Sequence, residues 1–474
     1  MSGLQPEVII IGAGLGGCVA AHALTPNHNV TVIELSPEDD IQGRLVDVAR
    51  PAGTYPHIGS GLGGTTALWH NALIEIDEGI FHSHWPFPKS ELAPWYEASY
   101  PLLCGVERSQ IMSVAEATLR RYRKLGVTAD VFQPQYVPNK RRNVWQSLGL
   151  ADRVKLVRGE AFGFQTEGQT VRSVLVKTNA GEEKVKGDFF IVAAGGLGTP
   201  ILLEGLAAAA PVPALQNAGR LYEDHPMGFV GQATISVPLY RFWNLAAPSG
   251  TLRFLSVIRH KGLDFSFQLR PSALSLREDR GIRMGSVITK LRNQMWNPLH
   301  WIRLLGYWDD VMDIISIKTG IRIPTNHFSL FMQAGQVMSN ERAVSGAVHP
   351  ISGRRLIHRK WVLSQEYRTT AQEAVDRFAH QLHPIARSVT ILPGWFESLA
   401  TGAHHSGTAR MSHEPSEGVC DPNGRIHGLK NIYIADGSAI PGSGVANTGL
   451  TIAALALRLA DHLQRRTGAA QAAV

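Results

Sequence analysis

Cysteine is scarce: the 474 residues hold three, Cys18, Cys104 and Cys420, far apart and without any C-x-x-C spacing. That excludes a disulfide-stapled scaffold and supplies no zinc signature, so no metal site is expected, and free thiols in a reducing compartment fit the pattern. Apolar runs of the roughly 18 residues needed to cross a bilayer are lacking as well. The opening MSGLQPEVIII turns apolar by Val8 and has no basic n-region, cleavage site or twin arginine. The location this implies is the cytoplasm. Internal repeats and low-complexity segments are absent. So is a basic stripe interleaved with stacking aromatics: the formal charge is +7, yet the densest basic groups are only Lys140, Arg141, Arg142 and Arg354, Arg355, Arg359, Lys360. They read as solvated surface, and nucleic acid is not an expected partner.

What is present is core material. Apolar residues make up 44% and charged ones 18%, the composition of a globular chain. The length exceeds what one hydrophobic core sustains, so about two or three units share the polypeptide.

The stretch EVIIIGAGLGGCVAAHAL joins a β-branched run, Val8 to Ile11, to a glycine turn and then to an alanine-rich segment with helical spacing. A second β-rich run, Val30 to Ile33, closes on Glu34. Strand, turn, helix and strand make the βαβ unit of a dinucleotide fold. In its G-x-G-x-x-G turn, Gly12 permits the tight bend, Gly14 lets backbone approach a pyrophosphate, and Gly17 allows helix and strand to pack closely. The helix N-terminus then offers free N–H groups to phosphate, and Glu34 is placed to accept from ribose hydroxyls. These features leave FAD and NAD undecided.

Residues 76–150 read as an irregular, helical excursion, with Ser90 as a cap before a helix. From 153 to 192, RVKLVRGEAFGF, TVRSVLVKT and GDFFIVAAG read as a meander ending in a buried strand, with TEGQ and NAGEEK as separators. Residues 229–395 mix alternating β segments with a helix from Thr369 to Ala386, as an inserted domain would. From 396 onward a buried strand, NIYIAD, and a helix, LTIAALALRLADHLQRR, rejoin the first unit.

GSGLGGTTALWHN (59–71), VAAGGLGTPILL (192–203), GRLYEDHPMG (219–228), HHSGTARM (404–411) and ADGSAIPGSGVANTGLTIAALALRLAD (435–461) follow the glycine turn in that order. On these segments the chain resembles the glucose–methanol–choline (GMC) family of FAD-dependent oxidoreductases. The resemblance implies an α/β fold: a Rossmann-type FAD-binding domain of the p-hydroxybenzoate-hydroxylase-like kind, with an inserted α+β substrate domain built on an antiparallel sheet. The corresponding boundaries are 1–228, 229–395 and 396–474. Gly63, Gly64 and Thr65 are then a small-residue loop lying against the cofactor, and Gly195, Gly196, Gly198 and Pro200 a strand-to-helix turn near it. Asp436 and Gly437 match the residues that meet the pyrophosphate and ribityl chain. Some relatives carry a flavin-linked histidine where this chain has Leu68, which implies noncovalent FAD. The family's usual glycine two places past the ribose acid is Ser36 here.

Oxidising an alcohol takes a hydride from carbon and a proton from oxygen, so the site needs a base, and neutral imidazole suits the task. In the family that histidine stands in H-x-x-G-T. His404 satisfies the spacing and His405 does not; adjacent side chains in an extended segment point opposite ways, so His405 is expected to pack. The second catalytic position of the family, histidine or asparagine, falls on Asn447, whose amide can bond the substrate oxygen but cannot take its proton. An N-cap or turn role ahead of Leu450 is its structural alternative. Asp224 and His225 resemble the family's DHP element, with His225 a positioning residue.

The segment HWPFPKSELAPWYEASYPLLCGVE (84–107) is similar to one in pyranose oxidases and bacterial sugar or glycoside dehydrogenases. It points to a sugar, aminosugar or cyclitol hydroxyl. The stretch 296–320 bears on the same question, because Trp301, Leu304, Leu305, Trp308, Met312 and Ile315 share one helical face. That face suits an apolar lid for a steroid or terpenoid alcohol, peripheral membrane contact, or plain packing within the second domain. A hydroxynitrile-lyase-like enzyme and a flavoprotein without turnover are the rival classes. Oxygen and other electron acceptors both remain open.

Overall fold

The structure, a computed structural model, describes residues 5–36, 39–48, 58–69, 71–124, 126, 128–140, 142–235, 245–271, 287, 290–291, 294–306, 327–336, 338–351 and 353–468. The apolar run at the start forms β1 (Glu7–Ile11), followed by helix α1 (Leu15–Leu24) and β2 (Asn29–Glu34). β1 pairs in parallel with β2 on one side and with β9 (Phe189–Val192) on the other. β5 (Lys155–Arg158) extends one edge and β19 (Ile432–Ile434) the other, giving the parallel order β19-β9-β1-β2-β5. Val8, Ile9 and Ile10 are buried on both faces, as a central parallel strand requires. Gly12, Glu34, Gly195 and Asp436 all fall at or just beyond carboxyl ends of these strands, the edge at which open α/β sheets bind ligands. The helix Gly449–Arg466 packs against α1 beside this sheet.

The second large sheet is antiparallel. Its order is β11 (Leu245–Ala247), β12 (Gly250–His260), β13 (Leu263–Pro271), β14 (His327–Ala334), β10 (Pro226–Ile235) and β17 (Ala386–Ile391). β4 (Val131–Pro138) runs along β12, and β18 (Ala400–Thr401) pairs with β10. One face is covered by the helix Gln365–Leu382, whose Tyr367, Ala371, Ala374, Val375, Phe378 and Leu382 form a buried stripe at helical spacing. Phe378 stacks on Phe267 with ring centroids 4.3 Å apart. The opposite face mixes polar side chains with apolar ones such as Leu255, Val257 and Phe331. Pairing puts Gln135 beside Arg253, Ser266 beside Gln333, and Gln268 beside Phe331, so these side chains share that face although all are buried.

Several local expectations change. The segment from 153 splits: β5 joins the parallel sheet, whereas β6 (Glu160–Glu167), β7 (Thr170–Thr178) and β8 (Gly181–Lys186) form a separate antiparallel sheet. β8 arises within the stretch read as a separator, because Glu182 to Lys186 pair with β7 despite their exposure. The excursion 76–150 contains β4, which contributes to the second sheet beyond the 229–395 block. Ser90 is not a cap. The helix Lys89–Cys104 starts one residue earlier, after Pro88, whose fixed φ of −73° presets the entry without any side-chain cap bond. The later helix spans Gln365–Leu382 rather than Thr369–Ala386, since Ser364 caps it by accepting from Tyr367 N at 3.1 Å, and Ala386 already belongs to β17. β15 (Ala343–Val348) and β16 (Arg355–Lys360) form a third small sheet with β3 (Leu45–Asp47).

Candidate active site

The two glycine-rich segments meet at one point. Gly12 has φ +108°, and a side chain there would strike Ala193 O. Gly63 N donates to Ala13 O at 2.9 Å, and a Cβ on Gly64 would lie 3.0 Å from Gly14 Cα. Thr65 and Leu68 are exposed beside this junction. Glu34 reaches across it: its carboxylate accepts from Ala13 N at 2.5 Å, Gly61 N at 3.1 Å and Leu35 N at 3.0 Å. Burial pushes its pKa up against those bonds. Three of about four acceptor sites are used, leaving one for a hydroxyl. Asp436 differs. Its oxygens accept from Gly195 N, Thr199 Oγ1, Ser438 N and Ser438 Oγ, so its acceptor capacity is filled by protein. What it gives a cofactor is the placement of the Gly195 and Gly437 backbone. Gly437 itself lies against His405 O, where a side chain would collide.

These residues fit FAD. A Cβ on Gly14 would meet only Ala193 O at 3.8 Å, and nothing lies within 4 Å of one on Gly61 or Gly195. Asn71 is 1% exposed with φ +57°, and neither atom of its amide has a hydrogen-bond partner. A buried amide in that state is costly unless a polar ligand meets it. The sequence reading passed over Asn71; its signal was an asparagine closing the small-residue segment 59–71.

His404 and Asn447 come together. Asn447 Nδ2 lies 2.7 Å from His404 Nε2, and Gln135 Nε2 donates to Asn447 Oδ1 at 3.0 Å. On its other side His404 Nδ1 is 2.8 Å from His225 Nδ1. Gly402 makes that meeting possible, since a Cβ there would sit 2.9 Å from His404 Nδ1 and 3.3 Å from His225 Cβ. Thr448, not Asn447, holds the cap position of the last helix, so the amide of Asn447 is free to serve the histidine. His405 faces the other way, with Nδ1 2.8 Å from Tyr222 OH and 3.3 Å from Asp224 Oδ2. The segment between β18 and His404 is not simply extended, for Ala403 has φ +55°.

Asp224 ties the cluster to the backbone. Its Oδ1 accepts from His225 N at 2.7 Å and His404 N at 2.9 Å, and its Oδ2 from Tyr222 OH at 3.1 Å and from Thr401 Oγ1. Burial alone would raise its pKa, but the bond to His405, that residue's charge and the bond from Thr401 outweigh it and hold the carboxyl well below its usual range. Burial lowers His404 to about 4, against the pull of Asp224. It lowers His225 to about 3. Both rings are neutral at pH 7, the form in which a base accepts a proton. A base acts only in its unprotonated form, so with His404 in the role proposed below first-order flavin reduction by substrate is expected to stay flat from pH 8 down to about 5 and to fall only below that. Anaerobic stopped-flow across this range checks it; an inflection at the ordinary histidine value of about 6.5 would contradict the assignment.

Gln135 and Gln333 are the site residues least visible beforehand. Among the described residues no group of three or more His, Cys, Asp or Glu is arranged to hold a metal, and no helix is long and apolar enough to cross a membrane. The described part of the 296–320 stretch, the helix Pro298–Leu305, exposes Leu299, Trp301, Ile302 and Leu305 and buries His300. That exposure does not match plain packing within the second domain. Trp308, Met312 and Ile315 lie outside the described residues.

A parallel sheet with its glycine turn, acid and histidine–amide pair at one edge, roofed by an antiparallel sheet, defines a dinucleotide-dependent oxidoreductase scaffold. Residues 348–456 match the family model described as GMC oxidoreductase. Across its whole length it is similar to 2-methyl-1,2-propanediol dehydrogenase of Mycolicibacterium austroafricanum, 21% identical over 98% of this chain and 96% of that one. A local match to 6'''-hydroxyparomomycin C oxidase of Streptomyces lividus reaches 46% identity, but covers 14% of this chain and 13% of that protein. The fold is shared with the crystal structure of pyridoxine 4-oxidase from Mesorbium loti, at a TM-score of 0.62 and 16% identity, over 97% of this chain and 99% of that one.

Proposed function

We propose that the protein oxidises a carbinol of a polyhydroxylated small molecule, a sugar, aminosugar or cyclitol, to a ketone or aldehyde, with noncovalently held FAD. The carrying observation is the 2.7 Å approach of Asn447 Nδ2 to His404 Nε2. A half-buried imidazole held neutral and an amide lie in contact, and a substrate hydroxyl entering between them replaces their mutual hydrogen bond, donating to His404 Nε2 and accepting from Asn447 Nδ2. His404 Nε2 takes the hydroxyl proton while Asn447 holds the oxygen, and the carbon–hydrogen bond gives up its electron pair as the carbonyl forms. When bound, FAD supplies the hydride acceptor.

The polar side chains on one sheet face support a polyhydroxylated substrate. Gln135, Arg253, Ser266, Gln268 and Gln333 are buried on the side whose members reach Asn447 and the backbone beside it. Gln135, Ser266 and Gln333 already bond within the protein, and a polyhydroxylated substrate can exchange further hydrogen bonds with such polar side chains where an apolar alcohol cannot. The relatives named for 6'''-hydroxyparomomycin C and 2-methyl-1,2-propanediol support this reading. Leu68, 39% exposed at the position of a flavin-linked histidine in some relatives, supports noncovalent attachment.

Anaerobic mixing of the flavin-loaded protein with D-glucose, paromomycin, myo-inositol and cholesterol tests it. Bleaching of the yellow band by one of the three polyols is expected. Bleaching by cholesterol alone, or by none of the four, overturns the reading, and cyanide release from mandelonitrile would favour a lyase. Asn447→Ala is expected to slow bleaching by about 10- to 100-fold with flavin content unchanged, since orientation is lost and the base kept.

A further inference from the structure

We infer that His225, fixed by Gln333, dictates which nitrogen of His404 carries the proton and so keeps the lone pair of Nε2 aimed at Asn447. This rests on the reading of His404 as the base. The argument starts from a group that has no choice. Val445 O can only accept, and Gln333 Nε2 lies 2.8 Å from it, so that end of the Gln333 side chain is the NH2 group. Gln333 Nε2 also lies 3.3 Å from His225 Nδ1, and we assign its second hydrogen to that nitrogen. His225 Nδ1 is therefore an acceptor, and the ring proton sits on Nε2, which donates to Ser443 Oγ at 3.0 Å.

The consequence passes to the neighbouring ring. His404 Nδ1, 2.8 Å from a bare His225 Nδ1, must be the N–H partner. In a neutral imidazole only one nitrogen bears hydrogen, so His404 Nε2 is bare. It accepts from Asn447 Nδ2, whose Oδ1 in turn accepts from Gln135 Nε2. Every bond from Gln135 to Ser443 then runs in one direction without two donors or two acceptors meeting. The opposite tautomer of His404 would set two bare nitrogens 2.8 Å apart and turn an N–H toward the Asn447 amide hydrogens. His225 is buried and His404 half-buried, which limits the water available to mend such conflicts. When Nε2 takes a substrate proton, the Nδ1–H bond to His225 stays in place. His225 is thus a positioning residue acting through His404.

The test reads ring nitrogens directly. The FAD-loaded enzyme is labelled with 15N-histidine, and two-bond 1H–15N correlations are recorded at neutral pH, with His404→Ala and His225→Leu supplying assignments. The expected pattern is Nδ1–H with bare Nε2 for His404 and the reverse for His225. In His225→Leu, which has no acceptor, the His404 tautomer ratio should move toward Nε2–H by about fivefold or more. His225→Asn places an amide oxygen near the former Nδ1 and should restore the native pattern. If His225→Leu fails to bind FAD, Gln333→Leu serves instead, because it frees His225 Nδ1 to carry a proton. An Nε2–H His404 in the native enzyme, or a ratio that none of the variants shifts, overturns the proposal. These outcomes are independent of turnover, so loss of the base assignment itself would show separately, as undiminished bleaching in His404→Ala.

Discussion

His404→Ala is expected to keep its FAD and its fold while losing about a thousandfold in the first-order rate at which an alcohol bleaches the flavin. The magnitude follows from what is removed. A positioned general base contributes typically about 10²–10⁴ in rate, and among the described residues no second titratable group touches Asn447 on the side that His404 occupies. His405 cannot substitute, since its Nδ1 is engaged with Tyr222 and Asp224 on the far side of the segment. Cofactor retention is expected because the glycine junction and Glu34 lie on other elements. Stopped-flow absorbance under anaerobic conditions, with flavin content measured on the same sample, checks both halves. Bleaching within about tenfold of the native rate would remove His404 from the chemistry.

Asp224→Ala should have the largest effect on stability, about 3–5 kcal/mol. The carboxylate is 1% exposed and receives bonds from His225 N, His404 N, Tyr222 OH and Thr401 Oγ1, with His405 alongside. Removing it strands these buried donors in surroundings that water does not reach. Asp224→Asn should fall between, because an amide oxygen still serves the two backbone N–H groups while its NH2 opposes the hydroxyls. Urea unfolding monitored by tryptophan fluorescence gives the difference; a loss below about 1 kcal/mol for the alanine variant would mean that the cluster draws little from this carboxylate.

What could be read in advance divides along a physical line. Gly12, Gly14, Gly17 and Glu34 were legible because a turn and the strand after it are local, and local spacing determines where the glycines and the acid lie. That His404 and His405 face different partners was legible for a similar reason, as neighbouring side chains diverge; the preference for His404 came from the H-x-x-G-T spacing of the resembled family. Gln135 and Gln333 were not. Each is a polar residue in an apolar strand, and which face it takes depends on the register β4 holds against β12 and β14 against β13, a matter of contacts between distant segments. Asn71 escaped because nothing local marks an amide that the fold leaves without a protein partner among the described residues. The exposed strand β8 escaped because its charged residues carry no alternating apolar signal.

The sheet above the site has one more consequence. Gln135 on β4 steadies the amide and Gln333 on β14 steadies the histidine pair, while Arg253 and Gln268 on the strands between them form the wall proposed to meet the substrate. Fit and proton handling thus hang from a single rigid plank. Under the roles proposed for these residues, any repacking that tilts it to admit a different molecule also swings the groups around His404, so a change of preference is expected to come coupled to a change in speed.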